Sequence, residues 1–199
     1  DDDISNDCVH YSITLNGLNL VSFYALPEDN SIENVLSGIE GSNPGIVGEG
    51  TSAIFENNWG WIGGLLSIDR TDGYWIKVSN ETDLNIEGLP TNPETVYSLH
   101  EGPNLISYPF AGSAPIEATI PDAAQASIDA ILGEGAAAMN SGDGWIGGLV
   151  NLSGTEGYWF ITNEEVSFTY NPPVEGVARM ASPVRSVPME FAFRQSTQQ

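Results

Sequence analysis

The sequence contains one ordered series of four motifs twice, and this repetition constrains the fold more than any other feature. The motifs are Asn-Leu, Gly-Glu-Gly, Trp-Ile-Gly-Gly-Leu and Gly-Tyr-Trp. They occupy positions 19–20, 48–50, 61–65 and 73–75, and again positions 104–105, 133–135, 145–149 and 157–159. The first two pairs are 85 residues apart and the last two are 84 apart, so the second copy lacks one residue after Gly-Glu-Gly. A fixed period of this length predicts a tandem duplication of one folding unit.

The repetition predicts how the chain is divided. We predict an acidic leader at 1–8, a first repeat unit at 9–89, a hinge at 90–95, a second repeat unit at 96–171, a linker at 172–188 and a C-terminal strand and tail at 189–199. Units of this size are close to the lower limit for folding alone. The two units are therefore expected to stabilise each other.

The charge of the chain restricts its partners. There are 27 acidic and 5 basic residues, which gives a net charge of −22, and three of the five basic residues lie in 179–199. Because the remaining two cannot assemble a basic patch, the composition argues against nucleic acid and against anionic membrane surfaces as partners. Strong acidity of this kind is tolerated in a salty medium that screens it.

The pattern of apolar residues predicts a mainly β protein with one short helix per unit. Alternation of apolar and polar residues indicates strands through most of both units. In the first unit, Ser31 is placed to cap a helix whose apolar face is formed by Ile32, Val35, Leu36 and Ile39. The predicted fold is two tandem pseudo-symmetric β-rich units followed by a strand-bearing tail.

In the second unit the corresponding helix is interrupted by Pro121. Asp122 and Gln125 resemble a capping box that begins a new helix. Ile128 and Ile131, with Leu132, would form the apolar stripe of that helix, and Gly133 would end it. The second unit is therefore expected to be helical from 122 to 132.

The tail carries an amphipathic strand that neither repeat contains. Met189, Phe191 and Phe193 alternate with polar or small residues. Its apolar face needs a surface to cover. It packs on the second unit, adds to the sheet of a neighbouring chain or domain, or is disordered.

Aromatic residues recur in both units and have two interpretations. Tyr74 and Trp75 correspond to Tyr158 and Trp159, and Trp61 corresponds to Trp145. Large aromatic side chains dominate small cores, which favours a structural role. Stacking on a glycan is the alternative, with Trp59, Trp61 and Trp145 as the candidates. Trp59 has no aromatic counterpart in the second unit, so it is the better candidate for an exposed contact.

Glu49 and Glu134 stand between glycines at the same point of each unit. We expect these carboxylates to accept backbone hydrogen bonds and hold their loops, with calcium binding as the alternative. The sequence contains no recognised catalytic motif, so no catalytic residue is assigned and no enzyme activity is predicted.

No cofactor is predicted, although oxygen ligands for Ca²⁺ are abundant. The weak calcium candidates are Asp1, Asp3, Asp7, Asp69 and Asp72, none of which has the spacing of an EF-hand. Cys8 is the only cysteine, so the chain has no internal disulfide. Its thiol is either inert or bonded to another chain.

The motif series resembles repeat modules of large secreted or cell-surface proteins of marine and Bacteroidota-like bacteria, which occur beside type IX secretion sorting domains. The resemblance covers about residues 11–170, although Leu18 and Pro103 stand where those modules have Trp. It implies an extracellular, multi-module context and supplies no catalytic residue. No signal peptide or apolar stretch of membrane-spanning length is found, and the chain is interpreted as a mature product or an excised piece.

These observations predict a non-enzymatic extracellular structural or interaction module. Its partners would be copies of itself or neighbouring modules of a larger surface protein. The more specific hypothesis is a filament or surface-layer subunit that assembles by addition of the C-terminal strand. The alternative is a carbohydrate-binding module.

Overall fold

A computed structural model describes residues 8–173 of the chain. This part is mainly β, as predicted, and its strands are accompanied by short helices. The predicted leader, apart from Cys8, lies outside the described residues. So does the predicted assembly strand with Met189, Phe191 and Phe193.

The first unit contains eight strands, one short α-helix and one 3₁₀ helix. The strands are β1 (Val9–Leu15), β2 (Leu18–Ser22), β3 (Ala25–Leu26), β4 (Gly45–Gly48), β5 (Thr51–Glu56), β6 (Gly60–Gly63), β7 (Gly73–Lys77) and β8 (Thr82–Pro90). Five of them form an antiparallel sheet in the order β2-β7-β4-β5-β6, and three form a second sheet in the order β1-β8-β3. Val21 and Ile76 from the larger sheet share one buried cluster with Ile13 and Leu84 from the smaller sheet.

The helix of the first unit begins where the sequence predicts. Helix α1 (Ile32–Val35) has Ser31 as its N-cap, and the Ser31 hydroxyl accepts a hydrogen bond from the Asn34 N–H at 3.3 Å. A 3₁₀ helix at Ser37–Ser42 follows it. Both helical turns bury their apolar residues in the core of the first unit.

The second unit repeats this architecture. Its strands are β9 (Tyr97–Leu99), β10 (Gly102–Ile106), β11 (Ser113–Pro115), β12 (Ile128–Leu132), β13 (Ala137–Asn140), β14 (Trp145–Gly147), β15 (Asn151–Ser153), β16 (Tyr158–Thr162) and β17 (Val166–Phe168). The five-stranded sheet has the order β10-β16-β12-β13-β14, which matches that of the first unit strand for strand. Two-stranded ladders, β11-β15 and β17-β9, complete the unit. A separate buried cluster forms its core.

The predicted helix over 122–132 is wrong for most of its length. The second unit instead has two four-residue helices, α2 (Ile116–Thr119) and α3 (Asp122–Gln125), and Ile128–Leu132 is strand β12. A register shift between Ile128 and Ala130 marks a bulge opposite β16. The extra residue lets Ile128 and Ile131 both face the core, at 1% and 0% exposure. Their spacing of three therefore imitates the period of a helix.

The predicted capping box at Asp122 is also absent. Pro121 is the N-cap of α3, and no side chain caps this helix. The Gln125 amide donates to the Ile120 carbonyl at 2.8 Å and not to the start of its own helix. A proline N-cap has no side-chain acceptor, so the sequence pattern could not form the box.

The two units are connected by residues 91–96. Strand β8 extends to Pro90, so the predicted hinge at 90–95 begins one residue inside a strand. The Thr91 N–H donates to the Tyr24 carbonyl at 2.8 Å, and the Thr95 N–H donates to the Asn92 carbonyl at 2.9 Å. These two hydrogen bonds of the connection are therefore made to the first unit and within the connection itself.

Candidate interaction site at the junction of the two units

Strands β2 and β10 are the edge strands at which the two units meet. Each lies at the end of its five-stranded sheet and pairs with only one strand of that sheet. An edge strand presents unpaired N–H and C=O groups that need partners. These two edges find their partners in the opposite unit.

The two duplicated glutamates exchange hydrogen bonds across this junction. The Leu105 N–H of the second unit donates to Glu49 of the first unit at 2.9 Å. The Leu20 N–H of the first unit donates to Glu134 of the second unit at 2.8 Å. The four residues form two equivalent pairs, because Leu20 and Leu105 are counterparts and so are Glu49 and Glu134. The carboxylates accept backbone hydrogen bonds as expected, but they accept them from the opposite unit and so join the two units instead of holding their own loops.

The glycines on both sides of each glutamate explain the Gly-Glu-Gly motif. A Cβ at Gly48 would lie 3.1 Å from the Tyr74 ring, and one at Gly133 would lie 3.3 Å from the Tyr158 ring. Gly50 and Gly135 have φ of 73° and 76°, a region in which other residues are strained. The first glycine thus packs on the tyrosine, and the second turns the chain into the next strand.

Backbone hydrogen bonds also join the two units, and they occur at equivalent positions of the two repeats. The Ser22 N–H donates to the Thr155 carbonyl at 3.3 Å, and the Ser107 N–H donates to the Thr71 carbonyl at 2.9 Å. Isolated antiparallel bridges join Val21 to Glu156 and Asp72 to Ile106. The hydroxyls of Ser22 and Ser107, which are both fully buried, donate to the carbonyls of Glu156 and Arg70.

Gly73 and Gly157 lie against each other at the centre of the junction. A Cβ on either glycine would come within 3.3 Å of the Cα of the other. A Cβ on Gly73 would also meet the Ile106 carbonyl at 3.0 Å, and one on Gly157 would meet the Val21 carbonyl at 2.7 Å. These contacts are with backbone atoms, so the junction requires glycine at both positions.

One half of the junction carries an additional ion pair. His100 Nε2 lies 2.7 Å from the Glu49 carboxylate, and His100 Nδ1 lies 2.8 Å from the Glu101 carbonyl. Both ring nitrogens of His100 face acceptors, which favours the protonated imidazolium. The pKa of His100 is therefore raised, chiefly by the hydrogen bond to Glu49 and to a smaller extent by the hydrogen bond to the Glu101 carbonyl. The side chains of His100 and Glu49 are 55% and 39% exposed, so solvent weakens the pair.

The outer faces of the two five-stranded sheets are apolar. The outer face is the side of these sheets opposite their buried cores. Cross-strand register places Leu18, Val47, Ile54, Ile62 and Trp75 on it in the first unit, and Leu132, Met139, Ile146, Trp159 and Ile161 on it in the second. Ile54 is 52% exposed and Met139 is 65% exposed. Among the strand residues on the outer face, only Lys77, Glu56 and Asp129 are charged, the last because the bulge in β12 sets it beside Ala130 opposite Ile161.

The junction joins the two outer faces on one side of the molecule. Residues directly opposite each other in an antiparallel ladder point to the same side. The bridge between Val21 and Glu156 therefore sets Leu20 opposite Gly157, and the bridge between Asp72 and Ile106 sets Gly73 opposite Leu105. All four residues belong to the outer face by register and are buried, so the exposed parts of the two outer faces lie on the same side and are joined through these buried residues.

The tryptophans proposed for glycan stacking have different environments. Trp61 packs against the core of the first unit and lies edge-on to Phe55, with 5.6 Å between ring centroids. Trp145 packs against the core of the second unit, and its Nε1 donates to Gln125 at 2.8 Å. Trp59 lies in the turn between β5 and β6 and is 81% exposed. Of these three candidates, Trp59 alone presents most of its indole to solvent.

The two residues of the repeated Tyr-Trp pair have separate roles. The hydroxyls of Tyr74 and Tyr158 accept hydrogen bonds from the N–H groups of Asp69 and Ser153, each at 2.7 Å. Both rings are buried in the cores. The neighbouring Trp75 and Trp159 are partly exposed on the outer face. In each pair, the tyrosine hydroxyl therefore holds the preceding loop, and the tryptophan contributes its ring to the outer face.

The described calcium candidates do not form a metal site with their neighbours. Asp69 accepts hydrogen bonds from the Thr71 N–H and hydroxyl at 2.9 and 2.8 Å. Burial raises the pKa of Asp72, and the charge of Asp69 adds to this effect. Within residues 8–173, no group of three His, Cys, Asp or Glu side chains is arranged to hold a metal ion. Asp1, Asp3 and Asp7 lie outside the described residues. The absence of a cofactor, with calcium as the alternative, stays a prediction.

Several junction residues were not assigned to a contact between the units from the sequence. Ser22 and Ser107 recur at the offset of 85, and Gly73 and Gly157 recur at the offset of 84. Their recurrence was the available signal, since small residues in both copies indicate a close approach. His100 gave no such signal, because no histidine stands at the corresponding place in the first unit.

Comparison of the chain with family models, curated proteins and solved structures gives no match. The resemblance to secreted bacterial repeat modules therefore stays a prediction. None of the helices between residues 8 and 173 is both long and apolar enough to cross a membrane.

Proposed function

We propose that this chain is a non-enzymatic structural and interaction module that acts outside the cell. It associates through its outer face with copies of itself or with neighbouring modules of a larger surface protein. The observation that carries this proposal is the continuous apolar outer face. Exposed apolar patches of this kind are characteristic of interaction surfaces.

The distribution of charge supports an interaction at this face. The chain has 27 acidic residues, yet Glu56 and Asp129 are the only carboxylates among the strand residues of the outer face. Two strongly acidic molecules repel each other over most of their surfaces. Their approach is least unfavourable where carboxylates are few, which favours the outer face as the contact between copies.

The C-terminal tail of a neighbouring copy is the proposed occupant of the outer face. Met189, Phe191 and Phe193 would supply apolar side chains at the alternation of a strand. Arg179, Arg185 and Arg194 are three of the five basic residues of the chain, so the tail is opposite in charge to the acidic body. Attachment of each tail to the next copy is a head-to-tail arrangement and gives an open assembly.

Substitutions on the outer face test this proposal. Negative-stain electron microscopy and light scattering of the full chain are expected to show assemblies. Ile54→Asn combined with Met139→Gln is expected to abolish them, because polar groups then interrupt the face in both units. Leu66→Asn combined with Val150→Asn is the matched control, since these residues are 72% and 65% exposed outside the two five-stranded sheets.

Two outcomes would contradict parts of the proposal. Assembly of the Ile54/Met139 variant at wild-type level would exclude the outer face as the contact. Assembly of a chain truncated after Asn171 at wild-type level would exclude the tail as the occupant and leave the face itself as the candidate.

Glycan binding is a second candidate function, and the exposure of Trp59 favours it. The 81% exposed indole is adjacent in sequence to Asn57 and Asn58. Aromatic faces beside amide groups suit sugar rings, which have apolar faces and peripheral hydroxyls. Glycan-array binding that Trp59→Ala removes would support this function over self-association.

A further inference from the structure

Each unit contributes the same set of groups to the junction. The first unit supplies the Leu20 N–H and the Glu49 carboxylate, and the second supplies the Leu105 N–H and the Glu134 carboxylate, at 2.8–2.9 Å from their partners. A contact in which both sides present the same complementary surface is isologous. The junction is thus the kind of interface found in a two-fold dimer, although both halves belong to one chain.

The connection between the units contributes little to this interface. Within 91–96, the Thr91 N–H bonds to Tyr24 of the first unit, and the Glu94 and Thr95 N–H groups bond to Asn92. Val96 is 58% exposed. None of these bonds reaches the second unit, so the connection limits the distance between the units without forming the surface that joins them.

We propose that the junction is exchangeable between molecules, with a second copy of this chain as the partner. The first unit of one molecule binds the second unit of another through the same Glu49–Leu105 and Glu134–Leu20 contacts. Reciprocal exchange gives a closed dimer, and successive exchange gives an open chain. The exchanged contacts are the hydrogen bonds of the two edge strands and not the exposed side chains of the outer face, so the proposal does not depend on the proposed function.

The short connection determines which form dominates. A tether of this length holds the two units at an effective concentration of order millimolar. The closed monomer therefore prevails in dilute solution, and exchange increases with protein concentration. A connection too short to span the junction would remove the monomer and leave the exchanged forms.

A first experiment shortens the connection in the full chain. Deletion of residues 93–95 removes about 10 Å of reach. Both the deleted and the undeleted chain carry Ile54→Asn and Met139→Gln, so that assembly through the outer face does not contribute. The apparent mass of the deleted chain by light scattering is expected to be at least about twice that of the undeleted chain, since a dimer is the smallest exchanged form. The same deletion combined with Gly157→Leu is expected to lose this increase, because the added side chain blocks the junction. A folded monomer carrying the deletion would overturn the proposal.

A second experiment retains the natural connection. Two full-length copies, both Cys8→Ser, carry Glu49→Cys or His100→Cys, respectively. They are mixed, concentrated, incubated and treated with a short bis-maleimide. A covalent dimer is expected whose yield increases with concentration, because positions 49 and 100 of different chains meet only after exchange.

The matched control uses a similar pair within one unit. His10 Nε2 lies 3.6 Å from Glu87, and both residues belong to the first unit. Copies carrying His10→Cys or Glu87→Cys are expected to give no more covalent dimer than chance collision does. Equal yields for the junction pair and this control pair, at every concentration, would overturn the proposal even if the deletion variant failed to fold.

Discussion

A carboxylate that accepts a backbone N–H from an edge strand replaces one missing hydrogen bond of a sheet. Glu49 and Glu134 both do this, and each is held in place by glycines that pack on a tyrosine or turn the chain. Their recurrence between glycines was sufficient to predict acceptors of backbone hydrogen bonds. The recurrence could not show which strand donates these hydrogen bonds, because the donor strand of the opposite unit is adjacent only after the two units have paired.

The His100–Glu49 pair predicts a pH dependence of stability. The unfolded pKa of histidine is about 6.5, and Glu49 raises the pKa of His100 in the folded chain. The stabilisation is therefore complete below about pH 6.5 and is lost as pH increases through the raised pKa. The Tm difference between the wild type and His100→Asn should be largest near pH 6 and should decrease in alkaline buffer.

His10→Asn provides the control for this measurement. His10 is 70% exposed and lies 3.6 Å from Glu87, within one unit. Its substitution should change Tm less than that of His100 at every pH. A Tm difference for His100→Asn that is constant from acidic to alkaline pH would show that the ion pair does not contribute to stability.

At the scale of secondary-structure elements, strands were predicted more reliably than helices. Ser31 and the residues after it gave a correct start for α1, because capping and helical spacing coincide there. Ile128 and Ile131 have the same apparent helical spacing, yet they lie on either side of a strand bulge. The distinction depends on pairing with β16 and β13, which local sequence does not encode.

The contact of Gly73 with Gly157 predicts that adding one methyl group at Gly157 lowers the stability of the fold. A Cβ on Gly157 would lie 2.7 Å from the Val21 carbonyl and 3.1 Å from Leu20 Cδ1. Gly157→Ala should therefore destabilise the chain by about 1–3 kcal/mol, the usual range for overpacking. Urea unfolding followed by tryptophan fluorescence measures this change.

Gly148→Ala is the matched control, because a Cβ at Gly148 would have no neighbour within 4 Å. It should change the free energy of unfolding by less than about 0.5 kcal/mol, as surface substitutions usually do. Equal stability of the two variants would show that the two units do not approach each other closely at Gly73 and Gly157.

At the scale of the whole molecule, the duplication produces one continuous surface from two small units. The repetition predicted two pseudo-symmetric units, and the five-stranded sheets correspond strand for strand. The joined outer face was not predicted. Leu18, Val47 and Ile54 appear in the sequence as ordinary strand residues, and only the register across the junction shows that they share a side with Met139 and Ile146.

Each of the two glutamates accepts its backbone hydrogen bond from the opposite unit, and amide hydrogen exchange measured by NMR is the sharpest test of this crosswise bonding. In Glu49→Ala, the Leu105 amide should exchange faster by about tenfold, as expected for losing a charge-assisted bond of about 1.5 kcal/mol, while the Leu20 amide keeps its rate. In Glu134→Ala the effect should be reversed, with Leu20 accelerated and Leu105 unchanged. Acceleration confined to the unit that carries each substitution would contradict the claim.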